Sequence, residues 1–441
     1  MENFTPWTLF VDIGIISLLL LIGKLMRVKI KWIQKLFIPP SLLAGFIGLA
    51  CGPHGFDILP ISEQTGTYAG ILIAFIFGAL PLTSQKTKGN QQEIGAMWVY
   101  SQTGLLLQWA FGGLLGLLVL NKIWPLSPGF GITMPSGYCG GHGTAAAIGQ
   151  AFGQLGHDEI LTLAMTAATV GIICSILLGL VFLRIGTKRG HSACLTQAET
   201  LPEELRTGLV AEDNRRSMGD SMFSNISIST LTFNLSIIAL VVLGGYLVSK
   251  GVSRIAPSLA LPVFSCSYII GILVKLVCDR TKVTERICPE TSSNLSAMFT
   301  DYLVAFGIAS IKISVVTHYL VPMLILLGVG LLFTATYVYF AAKHIFKEYW
   351  FEKAMFSWGW FTGTMAMGMA LFRIADPDGR SRCVDHYAIA YIFIAPVEIA
   401  LITFAPLVFS SGYGLLFSSV CAVVGLSLMA YMLYNKKVSK E

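Results

Sequence analysis

Apolar runs of about 20 residues, the length that spans a bilayer, recur along the whole chain and leave it few ways to fold. Inside a membrane every backbone polar group must be paired internally, so a spanning segment is a helix or part of a closed barrel. These runs do not alternate between apolar and polar residues, which selects helices. They predict spans at 8–27, 37–53, 66–83, 97–120, 160–184, 231–249, 258–277, 296–315, 318–342, 385–409 and 413–434. Only 12% of residues are charged, about half the share of a soluble domain. That fits a polytopic membrane protein better than a soluble protein with one anchor. The first run is expected to be retained, because Lys24, Arg27 and Lys29 follow it, where a signal peptide carries its charges in front.

Two further apolar segments, about 133–153 and 355–374, are short and interrupted by glycine. Charge decides how they sit. Let the N-terminus be outside and let both segments enter and leave on one face. Of the 30 lysines and arginines, all but Lys122, Lys250, Arg254 and Lys312 then fall inside. That is the bias of inner-membrane proteins. A full crossing by either segment would swap every later loop and destroy it. Both are therefore expected to be re-entrant, with the C-terminus cytoplasmic. The net charge of +6 is no nucleic-acid signal. The nine cysteines form no CxxC pair, so neither a disulfide framework nor a zinc site is expected.

The halves of the chain resemble one another. "FIPPSLLAGFIGL" (37–49) reads like "LALPVFSCSYIIGIL" (259–273), and "GTAAAIGQAF" (143–152) lines up with "GTMAMGMALF" (363–372). Each half holds five spans with a glycine-rich segment between its fourth and fifth. Five is odd, so the second half is inverted relative to the membrane. The expected organisation is a first repeat at 1–186, a cytoplasmic linker at 187–230, a second repeat at 231–409, and an additional helix with a basic tail at 410–441. Inverted repeats with interrupted helices point to a secondary transporter with a midplane site. Helix N-termini at the tips suit a carboxylate, and exposed carbonyls suit a cation.

Several residues become candidates. Gly140, Gly141, Gly143 and Thr144 form the expected tip of the first segment; the plainer reading is close helix packing by small residues. His142 is either a proton or substrate ligand or a neutral, hydrogen-bonded histidine. Thr362, Gly363, Thr364 and Met365 form the second tip. Asn294 is a further candidate for substrate contact. Asp301, in the span that opens just past Asn294, is either an ion or ammonium ligand or an acid favoured near a helix start. Glu398 follows Pro396 deep in an apolar run, so it must be paired, protonated or facing water. Arg373 could clamp a carboxylate or anchor the interface with Asp376. Asp12 and Lys24 are read as marking the interface ends of the first span. No zinc motif such as HExxH occurs, and no pair of intramembrane aspartates resembles a protease, so an enzyme is not expected. A channel is disfavoured by the absence of a charged pore ring.

These motifs resemble the bacterial sodium/glutamate symporters. "GGHGTAAA" (140–147) is similar to that family's first glycine-rich signature, and "IPPSLLAG", "ALPVF" and "NLSAMFTDYLVAFGIASIK" (294–312) fit as well. The likeness runs from about residue 8 to 409. It implies a homodimer in the bacterial inner membrane, in which a scaffold part makes the dimer contact. A transport part carries both hairpins in an elevator-like step. The implied substrate is glutamate, with Na+ as coupling ion and no other cofactor. Two features depart from the family pattern. The second tip reads "FTGTMAMGMALFRIADP", methionine-rich and without the usual proline, and an eleventh helix is added at 413–434. The alternative on the same fold is proton coupling through Glu398 or His142, or another organic acid against the methionine-rich tip.

Overall fold

The computed structural model describes residues 5–438 except 36–37, 84–89, 195–206, 211, 216, 225, 256–260 and 378. Part of the expected linker at 187–230 therefore lies outside the described residues, as do Lys86, Lys88 and Lys440. The described residues contain helices and no strand. The main helices are α1 (Pro6–Lys29), α2 (Pro40–Cys51), α3 (Thr65–Thr83), α4 (Gln91–Ile123), α5 (Thr133–Tyr138), α6 (Gly141–Gly153), α7 (Glu159–Lys188) and α8 (Thr230–Ile255). They continue as α9 (Val263–Thr281), α10 (Pro289–Ala309), α11 (Leu320–Ile345), α12 (Trp350–Thr362), α13 (Met365–Ala375), α14 (Cys383–Ser410) and α15 (Gly414–Val438).

Among the described residues, eight helices are long and apolar enough to cross a membrane: α1, α3, α4, α7, α8, α11, α14 and α15. The sequence predicts eleven. The other three exist as helices but depart from a simple span for visible reasons. The 12 residues of α2 reach about 18 Å at 1.5 Å per residue, short of a hydrocarbon core of about 30 Å. In α9, Lys275, Asp279 and Arg280 charge the last turns. In α10 the opening "PETSSNLS" is polar and Asp301 follows it.

The helices gather into two compact units that cut across the expected halves. One holds α1–α3 and α8–α10; the other holds α4–α7 and α11–α15. In the first unit, Ile16, Leu19, Ala44, Tyr68, Ala305 and Phe306 form one apolar core. Thr5 caps α1 and Pro6 opens it, where a missing N–H costs nothing. Asp12 is 1% exposed and accepts from the Ser62 N–H (2.8 Å), the Ser62 hydroxyl (2.5 Å) and the Tyr68 hydroxyl (2.8 Å). Asp12 is thus a buried, satisfied carboxylate that ties α1 to the start of α3, not an interface marker. Lys24 donates to the Gly208 carbonyl at 2.7 Å.

In the second unit, Asn90 caps α4 by accepting from the Gln92 N–H at 3.0 Å. The end of α4 widens into a π turn at Gly116–Leu120. The additional helix α15 lies along α4: Gly425 abuts Leu107, 3.1 Å from where a Cβ would stand. The buried ammonium of Lys353 pairs with Glu93 and sits 4.7 Å over the Phe346 ring, fastening the start of α12 to the start of α4.

Candidate functional site

The second unit contains two helical hairpins, and α7 serves as the ruler that places them. The first hairpin is α5 and α6. Its base is closed by Gly129 against Phe152, whose ring carbon Cε1 is 2.7 Å from a Cβ built on the glycine. The second is α12 and α13, with Gly359 against the Gly368 backbone. Along α7, Gly149 of the first hairpin meets Leu161, and Gly137 meets Ala167 and Ala168. Further on, Gly179 meets Leu371 and Gly186 meets Phe351, both of the second hairpin. Between them, Gly171 touches Tyr138 from one hairpin and the Thr362 carbonyl from the other. The hairpins thus occupy opposite halves of α7, and their tips meet beside Gly171.

Backbone geometry explains the first tip. Gly140 has φ 108° and Gly141 has φ 64°, the left-handed region that glycine adopts without strain. No side chain caps the N-terminus of α6. A Cβ on Gly141 would stand 2.6 Å from Thr364 Cγ2 and 3.0 Å from the Gly363 carbonyl oxygen. At the second tip Thr364 is the N-cap of α13, its hydroxyl accepting from the Met367 N–H at 3.4 Å. Two helix N-termini, each with a partial positive charge, therefore converge. Met365, 41% exposed, stands beside them.

A buried carboxylate completes the cluster. Glu398 on α14 is 5% exposed. Its Oε1 lies 3.2 Å from a Cβ position on Gly140, and its Oε2 accepts from the Tyr391 hydroxyl at 3.1 Å. The Tyr391 ring stacks on Tyr387 with centroids 5.6 Å apart. The Tyr387 hydroxyl is buried without a protein partner among the described residues. His142 is 1% exposed. The Thr169 hydroxyl donates to the Met165 carbonyl at 2.9 Å, so it can only accept from His142 Nε2, 3.0 Å away. This assigns the proton to Nε2 and leaves Nδ1 as a buried acceptor with no partner among the described residues. The cluster offers donors at the helix ends and acceptors in Glu398, His142 Nδ1 and the Gly363 carbonyl. Among the described residues no group of three or more His, Cys, Asp or Glu forms a metal cluster.

The Thr362 hydroxyl is spent on the Trp358 carbonyl at 2.6 Å. Arg373 is exposed in the last turn of α13, about 13 Å along the helix from Thr364 at 1.5 Å per residue. It is too far down the arm to clamp a ligand at the tip. Among the described residues Arg373 makes no ion pair with Asp376, which accepts from the N–H groups of Arg380 (2.9 Å) and Ser381 (2.8 Å). Burial alone would raise the Asp376 carboxyl, but these bonds hold it below the usual carboxylate range. Asn294 and Asp301 belong to the first unit. Asn294 donates to the Met218 carbonyl at 2.8 Å, and Asp301 is exposed in α10.

The sequence pattern of the sodium/glutamate symporters matches residues 8–368. The chain belongs to the sodium/glutamate symporter family. This symporter relative is an integral membrane protein and a secondary transporter, not an enzyme. No curated protein matches it. Among solved structures, a sodium/proton antiporter from Methanocaldococcus jannaschii, determined at pH 8, aligns at 18% identity with a TM-score of 0.40. That alignment covers 96% of this chain and 99% of the antiporter chain. The family match ends inside α13, so the end of the second hairpin, α14 with Glu398, and α15 lie beyond it.

Sequence reasoning missed the residues that brace the tips. Gln108 Nε2 donates to the Thr334 hydroxyl and to the Phe361 carbonyl, each at 2.8 Å, next to the second tip. Tyr391 and Tyr387 look like ordinary interfacial aromatics in the sequence, and Thr169 like a tolerated polar residue in a span. A glutamine inside an apolar run was the one available signal, since an intramembrane amide needs a partner.

Proposed function

We propose that this protein is a sodium-coupled symporter of glutamate or a related carboxylate, working by alternating access with its site at the two hairpin tips. The observation that carries the reading is the meeting of Gly141 with Thr364 and Gly363 beside Glu398. Two helix N-termini converge there, which suits a carboxylate, and a buried acid and nearby acceptors suit a cation. The two hairpins occupy opposite halves of α7, which supports inverted repeats with re-entrant segments. Both hairpins lie in one compact unit, which we assign as the carrying part of an elevator-like step. The positive-inside bias supports an N-terminus outside and a cytoplasmic C-terminus in an inner-membrane protein.

The second reading keeps the fold and couples transport to protons. It is favoured by Glu398, a nearly fully buried carboxylate at the tip. One experiment separates them: uptake of labelled L-glutamate into proteoliposomes holding the purified protein. Accumulation that needs an inward sodium gradient supports the first reading. Accumulation that survives sodium removal but collapses with a protonophore supports the second. If folded protein takes up no glutamate under either gradient, glutamate is not the substrate, and other carboxylates follow on the same assay.

A further inference from the structure

Two apolar crevices in the second unit share a wall on α11. The first, about 280 Å³, lies among α7, α11 and α12, against Phe182, Val338, Ala354 and Trp358. The second, about 340 Å³, lies among α4, α11 and α15, against Leu107, Phe333 and Leu433. Thr336 and Phe340 line both. Arg189 and His191 stand at one end of the first crevice, and His344, in the last turn of α11, at the same end of the second. His191 is set among the rings of Trp350 (5.3 Å), Tyr339 (6.1 Å) and Phe351 (6.3 Å). Among the described residues no carboxylate pairs with Arg189.

We propose that these crevices bind one anionic phospholipid, an acyl chain in each slot and the phosphate headgroup on Arg189. Paired slots with a common wall fit a diacyl molecule. Nearly featureless apolar walls offer a soluble polar substrate nothing to bond. The polar groups gather at one end, at the side the charge bias assigns to the cytoplasm. An unpaired guanidinium there matches a phosphate, as basic rims beside transmembrane helices do for anionic lipid heads. The aromatic collar is what a headgroup boundary selects. The site has a consequence for the hairpins: Ala354 and Trp358 belong to the outer arm of the second hairpin, so the lipid braces that arm against α7 and α11.

The test uses the full chain in phosphatidylcholine mixed micelles, with and without phosphatidylglycerol. Native mass spectrometry counts retained lipid, and tryptophan fluorescence follows thermal unfolding. The expected result is one retained phosphatidylglycerol and a higher unfolding temperature, with no such effect from added phosphatidylcholine. Arg189→Gln should weaken phosphatidylglycerol binding about fivefold, the worth of one basic residue near an anionic surface, while Arg189→Lys keeps most of it. Ala354→Phe should fill the first slot and lower retention; if that variant does not fold, the Arg189 pair decides alone. Equal retention of both lipids overturns the proposal, as does unchanged phosphatidylglycerol binding by Arg189→Gln. A second copy of the chain on this face, seen as a dimer lost in Ala354→Phe without any lipid binding in the parent, would also overturn it. None of these readouts depends on which solute the protein carries.

Discussion

Gly141 and Thr364 touch: a methyl group on the glycine would stand 2.6 Å from the threonine Cγ2. One residue opens the helix after the first tip and the other caps the helix after the second. Their contact makes the two hairpins a single assembly, and it sets the first prediction.

Gly141→Ala should sharply reduce uptake while the protein still inserts. The substitution forces a φ of 64° on an L-residue and overpacks the tip contact, a cost of about 1–3 kcal/mol. Gly156→Ala is the control. It carries a φ of 87° with nothing within 4 Å of the new methyl, so it feels backbone strain without the clash. Uptake should survive in Gly156→Ala. Equal uptake by the two variants would mean that the tip contact is irrelevant to transport.

Glu398→Gln should change the ion dependence of uptake more than it changes unfolding temperature. The amide keeps the shape beside Gly140 but loses the charge. Tyr391→Phe removes the 3.1 Å bond, and hydrogen bonds to a charged group are worth about 1.5–3 kcal/mol. It should therefore shift the same ion dependence in a milder form. Titration of uptake against sodium and against pH reads both. Parent-like curves for both variants would place the ion elsewhere.

Asp12→Ala should do the reverse. It strands the Ser62 N–H, the Ser62 hydroxyl and the Tyr68 hydroxyl, and a buried donor left unpaired costs about 1–3 kcal/mol. Thermal unfolding should begin at a clearly lower temperature, with the ion dependence of uptake unchanged in the folded fraction. An unaltered unfolding temperature would remove Asp12 from the structural core.

The sequence carried the hairpins well because their signature is local. Gly140 and Gly141 announce a left-handed turn, and the charge bias predicts that neither segment crosses. It carried α2, α9 and α10 less well, because the apolar content of a run does not reveal where Pro40 starts a helix or how far Lys275 and Asp279 charge its partner's end. Side-chain roles were legible only where burial alone forced a partner. Glu398 was visible for that reason. For Arg373, proximity in sequence to the tip hides a distance along the arm. Gln108 was hidden because its partners lie far off in the chain, in Thr334 and Phe361, and Tyr391 because its partner Glu398 stands about two turns along the same helix.

Single cysteines on either side of each hairpin test the re-entrant reading directly. Lys122→Cys and Asp158→Cys flank the first hairpin at exposed positions; Lys347→Cys and Arg380→Cys flank the second. The nine native cysteines are unpaired, so they can be replaced without breaking a disulfide. In intact cells a membrane-impermeant maleimide should label both members of the first pair and neither member of the second. After permeabilisation it should label all four. A hairpin that crossed would put its two flanks on opposite sides, so one member of a pair would react in intact cells and the other would not. Since the positive-inside bias depends on both segments returning to the face they left, a split pair would reverse the sidedness of everything downstream, including the C-terminus.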